Sequence, residues 1–294
     1  MSKGSSAQTA HARPDGEEPG ATDIERGAHF VQSLERGLAV IRAFDADHTD
    51  FTLSELAARI NLTRAGARRF LLTLVDLGYV SVSGRYFSLR PRVLELGYSY
   101  LSSLPVSEIA GPHLEQLVHT IHESSSLSLL DGDDIVYVAR VHTSRIMTMT
   151  INVGTRLPAF ATSMGRVLLA DLEQDALQEY VENLTLQPFT PRTVTSAESL
   201  LEEIALVRRQ GYSIVDQEIE LGLRSVAVPV RNRTGQVVAA MNVSSPAGRR
   251  TLVQLRKELL PPLQETASRI EADLRFNDST RSGWSTTSRG EKST

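Results

Sequence analysis

The sequence predicts an α+β fold in which a winged helix-turn-helix is joined by a linker helix to a domain with a roughly six-stranded antiparallel sheet flanked by helices. Three observations predict this fold. Residues 52–89 show two short helical patterns around a tight turn, followed by a hairpin. After residue 105, short strand-like runs alternate with amphipathic helices. The length of 294 residues suits two domains of about 100–200 residues each.

The helix-turn-helix is predicted from capping residues and from helical spacing. Thr52 and Glu55 have the spacing of a capping box, in which each residue satisfies a free backbone donor of the other. Asn61 tolerates the left-handed conformation that a sharp turn needs, Thr63 is suited to cap the second helix, and Gly78 to end it. The inner faces of the two helices carry apolar residues: Leu53, Leu56, Ala57, Ile60, Ala67, Phe70, Leu71 and Leu74.

A third helix precedes this motif and a hairpin follows it. Apolar residues at i, i+4 and i+7 from residue 34 predict the helix, with Ser33 as its cap. Residues 79–82 and 86–89 alternate in the manner of strands around a turn that contains Gly84. Together the three helices and the hairpin give the winged form of the motif.

Arginines cluster in this part of the chain. Residues 51–92 hold seven arginines and two carboxylates, a balance of +5, whereas the net charge of the whole chain is −4. Such asymmetry predicts a nucleic-acid-binding module on an acidic body. The chain has 28 arginines and 3 lysines, however, so arginine is also its ordinary cation.

We predict that the second helix of the motif enters the DNA major groove. Arg68 is expected to read guanine, because a guanidinium group pairs bidentately with that base, and Arg64 and Arg69 to contact phosphates. Arg85, in the hairpin turn, fits a DNA contact and a solvent-exposed cation equally well. The predicted DNA-binding residues are Thr63, Arg64, Ala65, Ala67, Arg68, Arg69 and Arg85.

Composition divides the chain into five segments. They are a disordered arm (1–28), the winged helix-turn-helix (29–90), a linker helix (91–104), a second domain (105–276) and a disordered tail (277–294). Apolar residues surround the predicted linker helix, so it must be buried from several sides, either against a partner subunit or within one subunit.

The second domain is predicted to mix helices and strands. The helices are 107–122, one starting near Ser163, 173–182, 198–210 and 251–276, the last interrupted by Pro261 and Pro262. The strands are 127–130, 135–141, 146–153, 212–215, 225–230 and 236–243.

Composition also limits the chemistry and the location. The chain has no cysteine, which excludes disulfides and cysteine-based zinc sites. No apolar run reaches the length of a membrane span. We therefore expect a cytoplasmic protein with no membrane association.

Several separated motifs, in this order, resemble the IclR family of bacterial transcription regulators over residues 30–275. The matching segments are 30–38, 53–57, 74–80, 154–158, 163–169, 216–218 and 222–230. The resemblance implies a regulator whose GAF-like C-terminal domain binds a small effector and which forms a dimer or a dimer of dimers on an inverted-repeat operator. Segments 62–70 and 189–193 resemble the subgroup that controls aromatic-acid catabolism through the β-ketoadipate pathway.

The resemblance also implies where the effector binds. Carried over by position, the effector-binding residues are Ala161, Thr162, Ser163, Asp216, Glu218, Ser225, Asn242 and Ser244. Their chemistry suits an organic acid, because hydroxyl and amide groups donate hydrogen bonds to carboxylates and backbone N–H groups before a helix bind anions. Arg156 is expected to form surface salt bridges, whereas the sequence leaves the role of Arg224 open.

Two other functions are possible from the sequence, an enzyme and a module that binds another protein. Asp216 and Glu218 fall on one face of a predicted strand and have the chemistry of an acid/base pair, but no nucleophile, phosphate loop or metal cluster accompanies them. His119 and His122 have a spacing that binds zinc, but three ligands are normally needed. The other possibility is an interaction protein whose winged helix binds another protein rather than DNA.

We expect no catalysis, no metal and no cofactor. The predicted partners are double-stranded DNA, a small organic acid and further copies of the chain.

Overall fold

The computed structural model describes residues 27, 29–143 and 151–285, with side chains as far as Phe276. Apart from residue 27, the predicted arm lies outside the described residues. The chain divides into two compact units, with the boundary between Glu95 and Leu96. That boundary falls inside the segment that the sequence predicts as a linker.

The first unit is a three-helix motif with a small sheet. Its elements are α1 (Gln32–Arg42), β1 (Asp50–Thr52), α2 (Leu53–Arg59), α3 (Arg64–Asp76), β2 (Val80–Ser83) and β3 (Tyr86–Leu89). The strands are antiparallel in the order β1-β3-β2, so the predicted hairpin gains a third strand that the sequence analysis missed. The core consists of apolar residues from all three helices and the sheet: Val40, Ala43, Phe51, Leu56, Leu71, Leu74, Val80 and Phe87.

Local hydrogen bonds place the ends of these helices as predicted. Thr52 and Glu55 form the capping box, with the Thr52 N–H donating to the Glu55 carboxylate at 2.8 Å. The Thr63 hydroxyl accepts from the Gly66 N–H at 3.1 Å and caps α3. Asn61 adopts the left-handed conformation, with φ of 49°. The prediction for α1 is wrong in one detail, because its N-cap is Val31, with no side-chain cap, and Ser33 lies inside the helix.

The linker segment is a short 3₁₀ turn, Pro91–Val93, followed by α4 (Leu94–Leu101), rather than one helix over 91–104. No residue of α4 is buried, and Leu94 and Tyr98 are 71% and 70% exposed. Burial within one subunit, one of the two explanations for its apolar surface, is therefore wrong for the described residues. A covering partner subunit remains a prediction.

The second unit contains a six-stranded sheet in the order β6-β5-β4-β9-β8-β7, and each neighbouring pair is antiparallel. Its elements are α5 (Pro105–Ile121), β4 (Ser124–Asp131), β5 (Asp134–Val141), β6 (Arg156–Pro158), α6 (Ser163–Leu169), α7 (Gln174–Asn183), α8 (Ala197–Gln210), β7 (Ser213–Asp216), β8 (Leu223–Arg231), β9 (Val237–Pro246), α9 (Leu252–Gln254) and α10 (Leu260–Ser285).

Each face of this sheet packs against helices. Strand residues such as Leu127, Val228 and Met241 join α5 and α10 in one core. On the opposite face, Ala227 and Ala240 join α6, α7 and α8 in a second core. Successive strand residues point to opposite faces, and the strands carry apolar residues at both sets of positions, so each face is buried by helices. The effector residues predicted on β8 and β9 therefore lie beneath a helical layer on one side or the other.

Two predictions for this unit need correction. Of the predicted strand 146–153, residues 146–150 lie outside the described part of the chain and 151–153 are not extended into a strand; the sixth strand is β6. The closing helix continues to Ser285, so residues 277–285 are helical where we predicted disorder. A π-helical turn, Leu255–Leu259, precedes Pro261 and Pro262. A proline clashes with the carbonyl four residues earlier, and a widened turn relieves that clash.

Among the described residues, no helix combines the length and the apolar character that crossing a bilayer would require.

Candidate functional site

The outward face of α3 presents the predicted DNA-binding arginines to solvent. Arg64, Arg68 and Arg69 are all exposed, as is Ala65. They lie opposite the buried Ala67, Leu71 and Leu74, so the core fixes which side of the helix faces outward. A helix held in this way, with a positive outer face, fits the major groove of DNA.

Two of the predicted contacts on this helix need revision. Ala67 is 0% exposed and packs into the core of the first unit, so its side chain cannot reach a base. The Thr63 hydroxyl is already engaged as the cap of α3. This cap also gives Gly66 a structural reason, because a Cβ at that position would lie 3.2 Å from the Thr63 hydroxyl oxygen. Thr63 and Gly66 thus shape the start of the helix.

The far end of α3 is held by the segment that follows the hairpin. The Arg92 guanidinium donates to the Leu77 carbonyl oxygen at 2.9 Å, and its carbon lies 5.5 Å from the centroid of the Tyr79 ring. A cation at the C-terminus of a helix interacts favourably with the unpaired carbonyls there. Arg92, which the sequence analysis counted only as charge, therefore fixes the helix that carries the positive face.

Arg85 lies in the turn of the wing as predicted, but its side chain is not free in solvent. It donates to the Tyr86 hydroxyl at 3.0 Å and stacks over the Tyr86 ring at 5.2 Å. The hydrogen bond to Tyr86 raises the pKa of the Arg85 guanidinium above its ordinary value. The cation is thus held at an exposed position, which is compatible with a contact to a phosphate.

In the second unit, four polar side chains lie in line across five strands of the sheet. Arg140 on β5 is opposite Ser126 on β4, and Ser126 is opposite Asn242 on β9. Asn242 is opposite Ala227 on β8, which is opposite Ser213 on β7. Directly opposed residues share a face, and Ala227 places this face under α6. We call Arg140, Ser126, Asn242 and Ser213 the polar row.

A second line of hydroxyls runs beside the polar row on the same face. Ser124, Ser244 and Ser225 are opposed across β4, β9 and β8. The Asn242 side-chain amide donates to the Ser244 hydroxyl at 3.3 Å and links the two lines. The sheet therefore brings together the predicted effector residues Ser225, Asn242 and Ser244.

Several buried oxygens around the polar row have no hydrogen-bond partner among the described residues. They are Asn242 Oδ1, Ser213 Oγ and Ser163 Oγ, the last from the first residue of α6. Asn242 is 4% exposed and Ser163 is 1% exposed. Buried polar atoms are nearly always hydrogen-bonded, so a cluster without partners is typical of a site that holds a ligand or water.

Arg140 provides the positive charge of this face. Its guanidinium donates to the Ser126 hydroxyl at 2.9 Å, and no carboxylate lies within ion-pair distance of it in the described part of the chain. Burial lowers the pKa of the Arg140 guanidinium. An arginine in a protein nevertheless stays protonated at neutral pH, so Arg140 remains a cation. A half-buried cation without a counter-ion favours binding of an anion.

Tyr137 places a phenol on the same face, opposite Ser128. The side chain is 4% exposed. Burial raises the pKa of Tyr137 to about 12, so the hydroxyl stays protonated and able to donate. The face thus combines one cation, one phenol and a set of hydroxyl and amide groups.

Asp216 does not belong to this face, contrary to the prediction. Asp216 is opposite Arg224, on the other side of the sheet from Ser225, and its carboxylate accepts from Arg224 at 2.5 Å and from Arg192 at 2.6 Å. Although burial opposes the shift, the hydrogen bond from Arg224 and the neighbouring cations hold the pKa of Asp216 below its ordinary value. The role of Arg224, open in the sequence, is therefore to pair with Asp216.

Glu218 lies beyond the end of β7 and is buried in a bidentate ion pair. Its two carboxylate oxygens accept from Arg166 at 2.8 and 2.6 Å, and Arg166 also donates to the Phe160 carbonyl oxygen at 2.9 Å. Arg166 is 1% exposed. An acid/base pair of Asp216 and Glu218 is thereby ruled out, because Gln217, with φ of 63°, turns the chain between them and each carboxylate is bound to arginine.

Arg166 also fixes the loop that precedes α6. Arg166 ties α6 to residue 160, and Gly165 allows the helix to approach that loop. A Cβ on Gly165 would lie 2.0 Å from the Ala159 carbonyl oxygen. Ala161 and Thr162 are buried in this loop, and the Thr162 hydroxyl caps α6 by accepting from the Gly165 N–H at 3.1 Å. Ser163 is therefore the residue of this loop with a hydroxyl still lacking a partner.

Arg140 and Ser126 are absent from the residues predicted from the sequence. Both had a signal: the serines of Ser124–Ser126 precede an apolar run, and Arg140 ends one. Neither signal indicates a site by itself, because the two residues meet only through strand pairing. Arg156 behaves as predicted and forms surface ion pairs with Asp131 and Asp134.

The histidines considered for zinc, His119 and His122, have ring centroids 6.4 Å apart. Within the described ranges, no group of three or more metal-ligating side chains occurs.

Comparison with known protein families gives two matches that follow each other along the chain. Residues 33–84 match the IclR helix-turn-helix domain, and residues 98–272 match the model described as bacterial transcriptional regulator IclR C-terminal. The chain belongs to the IclR family. It is therefore a DNA-binding transcription regulator with a separate effector-binding domain, and the resemblance seen in its sequence motifs is confirmed.

Individual relatives agree with this assignment. The Pca regulon regulatory protein of Pseudomonas putida is 46% identical over 235 residues, which cover 80% of this chain and 81% of the relative. A solved structure from Rhodococcus sp. RHA1 is 59% identical, with a TM-score of 0.76, and covers 83% of this chain and 98% of its own. An IclR homolog from Microbacterium hydrocarbonoxydans, complexed with 4-hydroxybenzoate, is 28% identical, with a TM-score of 0.74, and covers 82% of this chain and 98% of its own.

These comparisons also decide between the alternatives left by the sequence. The similar proteins named above include a regulatory protein and an IclR homolog, and no enzyme. The chain is a regulator rather than an enzyme, in agreement with the prediction. The α+β architecture of the IclR structures likewise agrees with the fold class predicted from the sequence.

Proposed function

We propose that this IclR regulator responds to a small aromatic carboxylic acid and controls genes for aromatic-acid catabolism. The observation that carries the proposal is Arg140, a half-buried cation with no carboxylate partner among the described residues, in one row with the unpaired Asn242 Oδ1, from which Ser126 separates it. The carboxylate of the effector accepts from Arg140. A hydroxyl on the effector donates to Asn242 or to Ser163.

The relatives support this class of effector. One is named for the Pca regulon, and the Microbacterium homolog was solved with 4-hydroxybenzoate. That ligand carries one carboxylate and one hydroxyl. On the face of the sheet beneath α6, the carboxylate matches the cation Arg140, and the hydroxyl matches the oxygens that lack a hydrogen-bond partner. We therefore take 4-hydroxybenzoate and protocatechuate as the first effectors to test.

We further propose how the first unit binds its operator. Arg68 reads a guanine, Arg64 and Arg69 contact phosphates, and Arg85 contacts the flanking backbone. Two such units related by two-fold symmetry read an inverted repeat. Exposed apolar residues on α1, on the two residues before it and on α4 support a homodimer: Phe30, Val31, Leu34, Leu38, Leu94, Leu96, Tyr98 and Tyr100.

The effector acts by changing the population of DNA-binding arrangements of the dimer. It does so only to the extent that it binds one arrangement more tightly than another. The residues beneath α6 set its affinity, and the linker segment transmits the difference. Activation follows if the effector favours the arrangement that binds the operator, and release from DNA follows if it favours the other.

Calorimetric titration of the full chain with 4-hydroxybenzoate tests the proposed effector site. We expect Arg140→Gln to weaken binding about 10-fold to 100-fold, the range for losing a hydrogen bond to a charged group. Arg156→Gln is the matched control, because Arg156 is an exposed arginine paired with Asp131 and Asp134. Equal affinities of the wild type and Arg140→Gln for every aromatic acid bound would refute the role of Arg140.

A further inference from the structure

A line of apolar side chains runs along the middle of the outward face of α3. Ala65 and Leu72 are seven residues apart, close to two helical turns, so they lie one above the other. Both point away from the core, which buries Ala67, Leu71 and Leu74. Leu72 is 37% exposed, whereas Leu71 is 0% exposed. The core of the first unit therefore does not account for a leucine at position 72.

Charged side chains flank this apolar line. Arg68 and Arg69 are exposed on either side of it, one turn before Leu72. Asp76 is exposed one turn after Leu72 and would repel DNA phosphates, so it marks the end of the surface that fits DNA. The positive charge around Leu72 is complementary to DNA and unfavourable for docking a second copy of the same helix.

The major groove offers one apolar group for such a side chain, the C5-methyl of thymine. Adenine, guanine and cytosine present no methyl group there. Seven residues of helix rise about 10 Å, which matches about three base-pair steps. Ala65 and Leu72 can therefore contact bases that are separated along the operator while the arginines between them contact guanine and phosphate.

We propose that Leu72 is a specificity-determining residue that contacts a thymine methyl group in each operator half-site. The preferred operator then has a thymine about three base pairs from the base that faces Ala65, with guanine between them. This inference rests on the DNA-binding function of the family and on the burial pattern of α3. It is independent of the effector proposed above.

The test removes single methyl groups from the DNA. The operator is first obtained by binding-site selection with the full chain, with and without 4-hydroxybenzoate, so that a requirement for effector does not mask binding. Each thymine is then replaced by deoxyuridine, which differs only in the methyl group. For the wild type we expect one position in each half-site where this replacement weakens binding about fourfold, the factor for burying one methyl-sized group.

Variants of the protein identify the residue that makes the contact. For the Leu72→Ala protein, replacing the sensitive thymine by deoxyuridine should change the affinity for DNA less than twofold. The leucine side chain that contacts the thymine methyl group is absent from this variant. Leu77→Ala is the matched control: Leu77 is 51% exposed and lies beyond the end of α3, so this variant should keep the fourfold loss. Circular dichroism checks that each variant is folded.

Two results would overturn the proposal. One is a fourfold loss on methyl removal that is the same in Leu72→Ala and in the wild type. The other is a selected operator in which no thymine methyl affects binding. Leu72→Gln provides a second route, since it keeps a good helix former at an exposed position; its selected operator should lose the thymine and retain the guanine. Failure of effector binding in calorimetry would leave these outcomes unchanged.

Discussion

At the scale of single residues, the start of α2 shows how a local contact sets both structure and pH response. The Glu55 carboxylate accepts from the Thr52 N–H at 2.8 Å and from the Thr52 hydroxyl at 2.7 Å. The bond from the backbone N–H is the largest cause that lowers the pKa of Glu55 below its ordinary value. The charged form of Glu55 is thus favoured in the folded helix.

We predict that acid loosens the start of α2 through this carboxylate. Because its folded-state pKa is depressed, Glu55 contributes stability above its unfolded pKa of about 4.3 and loses it as the pH falls through the lower folded value. Hydrogen exchange of the α2 amides, corrected for intrinsic rates, should show protection that falls below about pH 4.3. In Glu55→Gln, which keeps the acceptor but does not titrate, this fall should be smaller. Identical pH profiles would contradict the prediction.

At the scale of elements, the position of α6 depends on a glycine that has no room for a side chain. Gly165 faces the Ala159 backbone, whose carbonyl oxygen would lie 2.0 Å from an added Cβ. The opposed atom belongs to the backbone and cannot rotate away. The seven-residue helix α6 and the loop before it must therefore separate if any side chain is added.

We predict that Gly165→Ala destabilises the second unit by about 3 kcal/mol, at the upper end of the usual effect of overpacking. Gly97→Ala is the matched control, because Gly97 lies inside α4 with no heavy atom within 4 Å of the added Cβ and is not followed by a proline. That change should stabilise by about 0.5–1 kcal/mol through helix propensity. Thermal unfolding of both variants measures the difference, and a Gly165→Ala protein that melts with the wild type would show that α6 packs less closely than the geometry indicates.

At the scale of the whole molecule, the helix-turn-helix region is positively charged although the whole chain is negatively charged. The net charge is −4, yet residues 51–92 carry seven arginines against two carboxylates. In the second unit many arginines are neutralised, as Arg166 is by Glu218 and Arg224 is by Asp216. The exposed arginines of α3 have no such partners among the described residues, so DNA binding is driven from the first unit.

We predict a steep dependence of operator affinity on salt, because each neutralised phosphate releases counter-ions. Affinity measured from about 50 to about 200 mM salt should fall linearly on a double-logarithmic plot. Arg64→Gln should reduce the slope by about one for each phosphate that the side chain no longer neutralises. Arg269→Gln, an exposed arginine on α10, should leave the slope unchanged. A slope that Arg64→Gln does not alter would exclude Arg64 as a residue that binds phosphate.

The sequence by itself determined the winged helix-turn-helix in close detail. Two hydrogen-bonded pairs at its helix starts are each three residues apart: Thr52 with Glu55, and Thr63 with Gly66. Contacts this local can be predicted from the spacing of the residues. The outward arginines follow from the 3.6-residue period of α3. The family was likewise evident from ordered motifs. Ala67 was misassigned to the DNA surface even though its own helical position predicted burial.

Tertiary structure alone decided the face of the sheet that we propose binds the effector. Arg140, Ser126 and Asn242 come from three strands and meet only when the register of the sheet is set. Glu218 is held in the interior because Arg166, 52 residues away, binds it there. Local spacing carries no information about such partners, since strand pairing and buried ion pairs join residues that are distant in the chain and are fixed by packing of the whole domain.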